Sequence, residues 1–283
     1  MPTCRIALAF VLAACVLTPA AAQFRQPPPY RILVTSDDGL RTPGIAALAQ
    51  ILQAIGTPII VAPSENQSGV GHAIVTTDAV VREDVTLVNG LMAIGLTATP
   101  ATAMNIALRN IVAPLPDLVV AGINRGHNVG LSAYLSGTVA AAREAAAHGV
   151  PAIAASMAAA STAADLAFAA EEVLGVARRV KQYGLAPGTF LNVNVPVAAP
   201  TGGYMGYLTT VQGTVRGGDQ RFAEMQAPAG RTVYWSVFDD AKSAPQPEGT
   251  DIWAIEHGYT SVTPMRLGET DRGQVATLGP IFE

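Results

Sequence analysis

Two adjacent aspartates, Asp37 and Asp38, end the apolar run Arg31-Ile32-Leu33-Val34-Thr35-Ser36 and are followed by Gly39. Two ionised carboxylates side by side repel each other unless a cation lies between them, so the pair asks for a hard divalent metal. Asp-Gly also makes a tight turn with no ligand at all, and taken alone the pair says no more than that. A second stretch shifts the balance. Gly122-Ile123-Asn124-Arg125-Gly126-His127-Asn128-Val129-Gly130 sets two carboxamides, Asn124 and Asn128, on a glycine-rich backbone that can approach a ligand closely. Just beyond it, Ser136-Gly137-Thr138 opens a helix, where unpaired N–H groups, two hydroxyls and the positive dipole end favour a phosphate. Carboxylates for a cation beside a helix N-terminus for an anion is the pairing that metal-assisted phosphoryl hydrolysis needs. In this reading Asp37, Asp38 and Asn124 are catalytic. One Mg²⁺- or Mn²⁺-like ion sits on Asp37 and Asp38, and Asn124 with the Ser136–Thr138 turn meets charge on the phosphoryl oxygens.

Each residue also has an ordinary structural use. Asn124 and Asn128 can cap loop backbone, and Ser136 can be a plain helix N-cap. The histidines at 72, 127, 148 and 257 show no zinc-like spacing. His148 and His257 read as structural or surface residues, whereas His72 and His127 fall in loops within reach of a substrate. Arg125 meets either a substrate phosphate or base, or a surface carboxylate.

These loops need a scaffold that brings them to one edge. Arg31 to Val34 reads as a first buried parallel strand, whose carboxyl end lies where open α/β sheets place their ligands. Thr42-Pro43 then starts a helix that carries Ile45, Leu48, Leu52 and Ile55 at helical spacing, with Gly56 stopping it. Pro58 to Pro63 is a second buried strand, and Ser64 to Gly71 a polar loop on the same rim as the aspartates. Ala73 to Ile94 reads as a β-rich insertion with its hairpin turn at Asn89-Gly90. A helix over Pro100 to Val112, a strand at Pro116 to Ala121, a helix from Ser136 to about Gly149, a strand at Val150 to Ala154, a helix over Ala163 to Tyr183 and a strand at Thr189 to Val195 complete an α/β core. The fold expected is a Rossmann-like, doubly wound, mostly parallel sheet over 31–198, with a β-rich appendage over 199–283. Within the appendage, Tyr204 to Val215, Arg231 to Phe238 and Asp251 to Glu256 read as strands and hairpins, and no helix is expected after Leu267.

Residues 1–22 fit a secretory signal peptide: one positive charge at Arg5, an apolar run from Ile6 to Leu17, and Ala20-Ala21-Ala22 before Gln23. A periplasmic or secreted protein cut near Ala22-Gln23 is expected, with a Pro-rich leader over 23–30 and no transmembrane segment after processing. Lipidation at Cys15 is the second choice, because the apolar run continues past it. Both cysteines, Cys4 and Cys15, lie in this segment, so the mature chain would carry no disulfide, thiol nucleophile or cysteine metal site. The mature net charge, about −5 once Arg5 is gone, argues against a nucleic-acid duplex as partner.

An ordered set of strings resembles one family. Ser36-Asp37-Asp38-Gly39, Pro43-Gly44-Ile45, Val61-Ala62-Pro63 with Gln67-Ser68-Gly69, Pro116 to Asn128, Ser136-Gly137-Thr138-Val139-Ala140-Ala141, Asn192-Val193-Asn194-Val195-Pro196, Gly249-Thr250-Asp251 and Gly258 to Pro264 are similar to those of the SurE family, survival protein E, 5′/3′-nucleotidases. The resemblance spans Arg31 to Leu267. It implies divalent-metal ligands at Asp37, Asp38, Ser68 and Asn124, and phosphate-side residues at Asn128, Ser136, Gly137 and Thr138. Ser68 is reached only through this resemblance. A small phosphomonoester substrate, a nucleoside 5′- or 3′-monophosphate, is implied, together with a homodimer or homotetramer. The chain departs from the family pattern at Ser36, where Asn is usual, at Leu135, where Tyr is usual, and at Thr102, where a carboxylate is usual. A haloacid-dehalogenase-like aspartyl-phosphate mechanism fits less well, because it wants one residue between its aspartates. A non-catalytic module that binds nucleotide or metal at a degenerate site is the alternative of a different class.

Overall fold

The structure, a computed structural model, describes residues 29–159, 162–197, 202–215, 219–239 and 245–282. The expected signal peptide, Cys4 and Cys15, and most of the leader lie outside the described residues.

Five parallel strands form the heart of the sheet: β1 (Arg31–Thr35), β2 (Thr57–Pro63), β5 (Leu118–Arg125), β6 (Ala152–Met157) and β7 (Thr189–Val195). A hairpin of β3 (Arg82–Thr86) and β4 (Met92–Leu96) extends one side, β4 lying parallel to β2. Its turn closes at Gly90, whose N–H donates to the Leu87 carbonyl. The stretch expected to be an insertion is thus built into the main sheet. On the other side β11 (Tyr259–Arg266) runs antiparallel to β7, and β8 (Gly206–Thr209) runs parallel to β11. The nine strands stand in the order β3-β4-β2-β1-β5-β6-β7-β11-β8. The remaining pair, β9 (Asp219–Ala227) and β10 (Arg231–Asp239), forms a separate antiparallel hairpin.

The central strands are apolar on both faces because both faces are covered. Ile32, Val34, Leu118 and Val120 point to one side, against α1 (Pro43–Leu52) and α4 (Ala163–Tyr183). Leu33, Val119 and Ala121 alternate to the other, against α2 (Pro100–Ile106) and α3 (Gly137–Ala147). Leu48 and Leu52 of α1 are fully buried, each removing surface worth ~1.5–3 kcal/mol. Pro43 stands in the first turn of α1 and Pro100 in that of α2, where no N–H is missed. Thr162 opens α4 with a reciprocal box: its hydroxyl accepts from the Asp165 N–H, while the Asp165 carboxylate accepts from the Thr162 N–H.

Two expectations are overturned. Asp251–Glu256 is a helix, α5, rather than a strand: Thr250 caps it, its hydroxyl accepting from the Trp253 N–H. A period-two reading of Ile252 and Ala254 missed that cap. Arg272–Phe282 is a helix as well, α6. Asp271 Oδ1 caps its start, accepting from the N–H groups of Gly273 and Gln274.

The chain leaves β1 towards β2 through α1, and later returns on the opposite side of β1 as β5. That reversal opens a crevice above the carboxyl ends of β1 and β5.

Candidate active site

β1 ends at Thr35, and Ser36-Asp37-Asp38 follow at once as a turn pinned to β2 by the Leu40 N–H donating to the Pro63 carbonyl (2.9 Å). The register that pairs Thr35 with Ala121 carries Asp38 alongside Arg125, whose backbone N–H donates to Asp38 Oδ2 (3.0 Å). The loop after β2 closes the third side. Gln67 donates its N–H to the Asp37 carbonyl (2.7 Å), and the Ser68 hydroxyl reaches Asp38 Oδ1 at 3.5 Å. Asn124 is buried, and its Nδ2 donates to the Gly126 carbonyl (2.7 Å), so Oδ1 is the atom left for a cation. Three separated loops therefore bring Asp37, Asp38, Ser68 and Asn124 to one rim.

Asp37 is almost completely buried over the first turn of α3, where the Thr138 hydroxyl donates to Oδ1. Burial pushes its carboxyl up to about 6; the Thr138 bond opposes this, and the charge of Asp38 adds to it. Burial likewise pushes the half-buried Asp38 up, against the pull of the Arg125 N–H and Ser68. The bare Cα of Gly137 is needed here. A Cβ would stand 2.9 Å from Asp37 Oδ2 and 2.7 Å from Pro100 Cγ. Among the described residues no set of three His, Cys, Asp or Glu side chains gathers as a metal centre. The candidate centre is the carboxylate pair with neutral oxygens. Two mutually repelling carboxylates flanked by a hydroxyl and a carboxamide form an all-oxygen donor set, which fits a hard divalent ion.

The expected phosphate-side residues also take part in local hydrogen bonds. Ser136 caps α3, its hydroxyl accepting from the Val139 N–H (3.1 Å), and the Thr138 hydroxyl is committed to Asp37. The Thr138 proton is therefore used, whereas Ser136, an acceptor here, keeps its own O–H to donate to an anion. Val139's N–H is taken by Ser136 and Thr138's serves Asp37, which leaves that of Gly137 in this turn. Asn128 sits in a buried amide cluster. Its backbone N–H donates to Asn194 Oδ1 (2.8 Å), its carbonyl accepts from Asn192 Nδ2 (2.7 Å), and its own Nδ2 donates to Ser156 Oγ (2.8 Å). Asp251 holds the next turn, accepting from the N–H groups of Gly130 (2.9 Å) and Gly213 (2.8 Å). Sequence reasoning gave Asn192, Asn194, Ser156 and Asp251 no role. The signal for the first two was their alternation in an apolar buried strand, which puts two carboxamides on one face where each needs a partner.

The two loop histidines do not face the site. His127 is part-buried and donates its Nε2–H to the Val195 carbonyl (2.8 Å), and desolvation pushes its pKa down. His72 Nε2 lies 2.9 Å from Glu144 Oε2 on α3, and Asn105 Nδ2 donates to Glu144 Oε1 (2.7 Å). The His72 bond, with Asn105 and the neighbouring His148, holds the Glu144 carboxyl down at about 2. A carboxyl held below its unfolded value stabilises the fold fully above the unfolded pKa, and this stability is lost as pH falls through the folded one. Melting temperature should therefore fall more steeply from pH 4.5 to 2 in the wild type than in Glu144→Gln. Parallel curves would show that these bonds do not load Glu144. Arg125 donates one Nη2–H to the Ala159 carbonyl (3.3 Å), and its charge also pulls the Asp38 carboxyl down.

Known proteins agree with this architecture. The family model for survival protein SurE matches residues 32–218. The 5′-nucleotidase SurE of Syntrophotalea carbinolica is 42% identical over 241 residues, 85% of this chain and 92% of its own length. The 5′-nucleotidase SurE 1 of Thermus thermophilus is 41% identical over 256 residues, 89% of this chain and 98% of its own. The crystal structure of the SurE protein from Aquifex aeolicus superposes with a TM-score of 0.75 at 31% identity, covering 89% of this chain and all of that one. With the doubly wound sheet, the paired aspartates and the match over most of its length, the chain belongs to the survival protein SurE family.

Proposed function

We propose that this protein is a divalent-metal-dependent phosphomonoesterase that hydrolyses nucleoside 5′-monophosphates, and 3′-monophosphates as well, to nucleoside and phosphate. One observation carries the reading: two adjacent carboxylates, the first buried on the first turn of α3, with Ser68 and Asn124 on the same rim. Relatives of about 40% identity that bear the name 5′-nucleotidase support it. Asp37, Asp38, Ser68 and Asn124 would hold one Mg²⁺ or Mn²⁺. Such an ion, when bound, withdraws charge from a phosphoryl oxygen and lowers the pKa of water. The chain's own groups supply the positioning. Thr138 fixes Asp37, the Arg125 backbone fixes Asp38, and the N–H of Gly137 offers a donor to an equatorial oxygen. In the net reaction water adds to phosphorus, the bond to the nucleoside oxygen breaks, and that oxygen leaves as a hydroxyl.

Phosphate release from a panel of nucleoside monophosphates and p-nitrophenyl phosphate tests this, with Mn²⁺, Mg²⁺ or chelator. Turnover that needs metal and favours nucleotides is expected; equal turnover in chelator would remove the metal from the mechanism. Retained nucleotide binding with no turnover would favour the non-catalytic module. The charge and apolar pattern of residues 1–22 supports export to the periplasm or medium, with exported protein beginning at Gln23 on N-terminal sequencing and an acylated Cys15 pointing to a lipoprotein instead. No helix among the described residues is long and apolar enough to cross a membrane. A homodimer or homotetramer is the expected assembly, and the exposed Phe222, Tyr234 and Trp235 of the β9–β10 hairpin support it.

A further inference from the structure

A cleft of about 230 Å³ opens beside the aspartates, between the loop after β2 and the segment that leads from β4 into α2. Val75, Leu96 and Ala98 supply its apolar lining, and Glu65, Gln67, Thr97 and Thr99 its polar rim. Two connections tie it to the carboxylates. The N–H of Gln67 is bonded to the Asp37 carbonyl, and Pro100, next to Thr99, packs on Gly137. Glu65 itself lies against the aspartate turn, its carbonyl carbon 3.1 Å from where a Gly39 Cβ would stand.

The polar groups of the rim are not equally available. Thr97 Oγ1 already accepts from the Val81 N–H (2.8 Å), and Thr99 Oγ1 donates to the Ala73 carbonyl (2.6 Å). Among the described residues the Glu65 and Gln67 side chains make no hydrogen bond, the exposed Glu65 carboxylate facing only the charge of Arg41. A carboxylate has only acceptor oxygens, and two oxygens side by side match two donors on neighbouring carbons. The cleft is smaller than the ~300–1,000 Å³ of pockets that enclose a drug-sized ligand, so it suits a sugar with part of a base rather than a whole nucleotide.

We propose that this cleft is a ribose subsite, in which Glu65 accepts from the 2′- and 3′-hydroxyls of a nucleoside 5′-monophosphate whose phosphate lies at Asp37 and Asp38. The assignment rests on the nucleotidase reading and adds a sugar preference to it. Gln67 closes the same edge as a second, neutral partner. A 2′-deoxy sugar leaves Glu65 with one donor instead of two and is the poorer substrate.

The test compares a ribonucleoside 5′-monophosphate with its 2′-deoxy counterpart on the full chain with Mn²⁺, wild type against Glu65→Ala and Glu65→Gln. The readout is the ratio of the two kcat/KM values, in which any change in the phosphate chemistry cancels. About tenfold preference for the ribonucleotide is expected in the wild type, the worth of one hydrogen bond to a charged group. It should collapse towards unity in Glu65→Ala, mainly through KM, and fall part of the way in Glu65→Gln. Equilibrium binding of the free ribonucleoside and 2′-deoxyribonucleoside gives the same ratio without any chemistry. A wild-type ratio near one, or a ratio unmoved by Glu65→Ala, overturns the subsite. Absence of turnover on every phosphomonoester overturns the nucleotidase reading instead, and the binding ratio then still decides the subsite.

Discussion

Asp38→Ala should remove turnover, by more than the roughly 10²–10³-fold that loss of a single charge-stabilising donor costs an enzyme. It should do so while leaving the melting temperature in chelator near that of the wild type. The two effects separate because Asp38 stands in opposed relations to the fold. It accepts from the Arg125 N–H and the Ser68 hydroxyl, and each such bond contributes about 1 kcal/mol or somewhat more. It also sets a second negative charge beside the buried Asp37, whose carboxyl is already pushed up by burial. Removing Asp38 forfeits the bonds and relieves the repulsion, so the metal-free fold changes little. A divalent ion reverses the sign of the pair's contribution. Wild-type protein should melt higher as Mn²⁺ is added, by linkage to an ion that binds only the folded state, and Asp38→Ala should not. An active Asp38→Ala protein, or one that Mn²⁺ still stabilises as strongly, would detach the aspartates from the ion.

Much of this site was legible in the sequence because its chemistry is local. Asp37-Asp38-Gly39 at the end of an apolar strand, and Gly122 to Gly130 at the end of another, announce rim loops by their own composition. Strand, helix and strand spacing then fixes which edge they share. Side-chain commitments were less visible. Ser136 and Thr138 read as free hydroxyls, but Thr138 gives its proton to a carboxylate 101 residues away, and long-range pairing leaves no local trace. Asp251–Glu256 and Arg272–Phe282 were misjudged for the opposite reason. Their helical signal lay in the caps Thr250 and Asp271, outside the windows whose periodicity was read. Ser68 could not be chosen from spacing at all, since its place beside Asp38 depends on how the loop after β2 folds back.

The largest structural effect should come from Asp251. Its side chain is fully buried and bridges three backbone N–H groups: those of Gly130, Gly213 and Ile252. Burial raises its pKa while these three donors pull it down, so the N–H groups are what offset the burial of its charge. Asp251→Ala leaves the donors of two separated loops buried and unpaired, at about 1–3 kcal/mol each where water cannot replace the carboxylate. A loss of about 3 kcal/mol or more would lower the melting temperature by roughly 6–12 °C in a domain of this size. The consequence should reach the site, because Gly130 ends the loop that begins at Asn124. Gly130 has φ +52°, and a Cβ there would run into the Val215 carbonyl, so this turn cannot relax into another shape without moving its neighbours. Asp251→Asn is the sharper control. It keeps the volume but retains a single acceptor oxygen, and its amide N–H groups would face a backbone donor. It should therefore be destabilised nearly as much as the alanine variant, with kcat/KM reduced even well below its melting temperature. A melting temperature unchanged in both variants would show that the loops hold their geometry without Asp251. The link from the C-terminal segment to the Asn124 loop would then be packing alone.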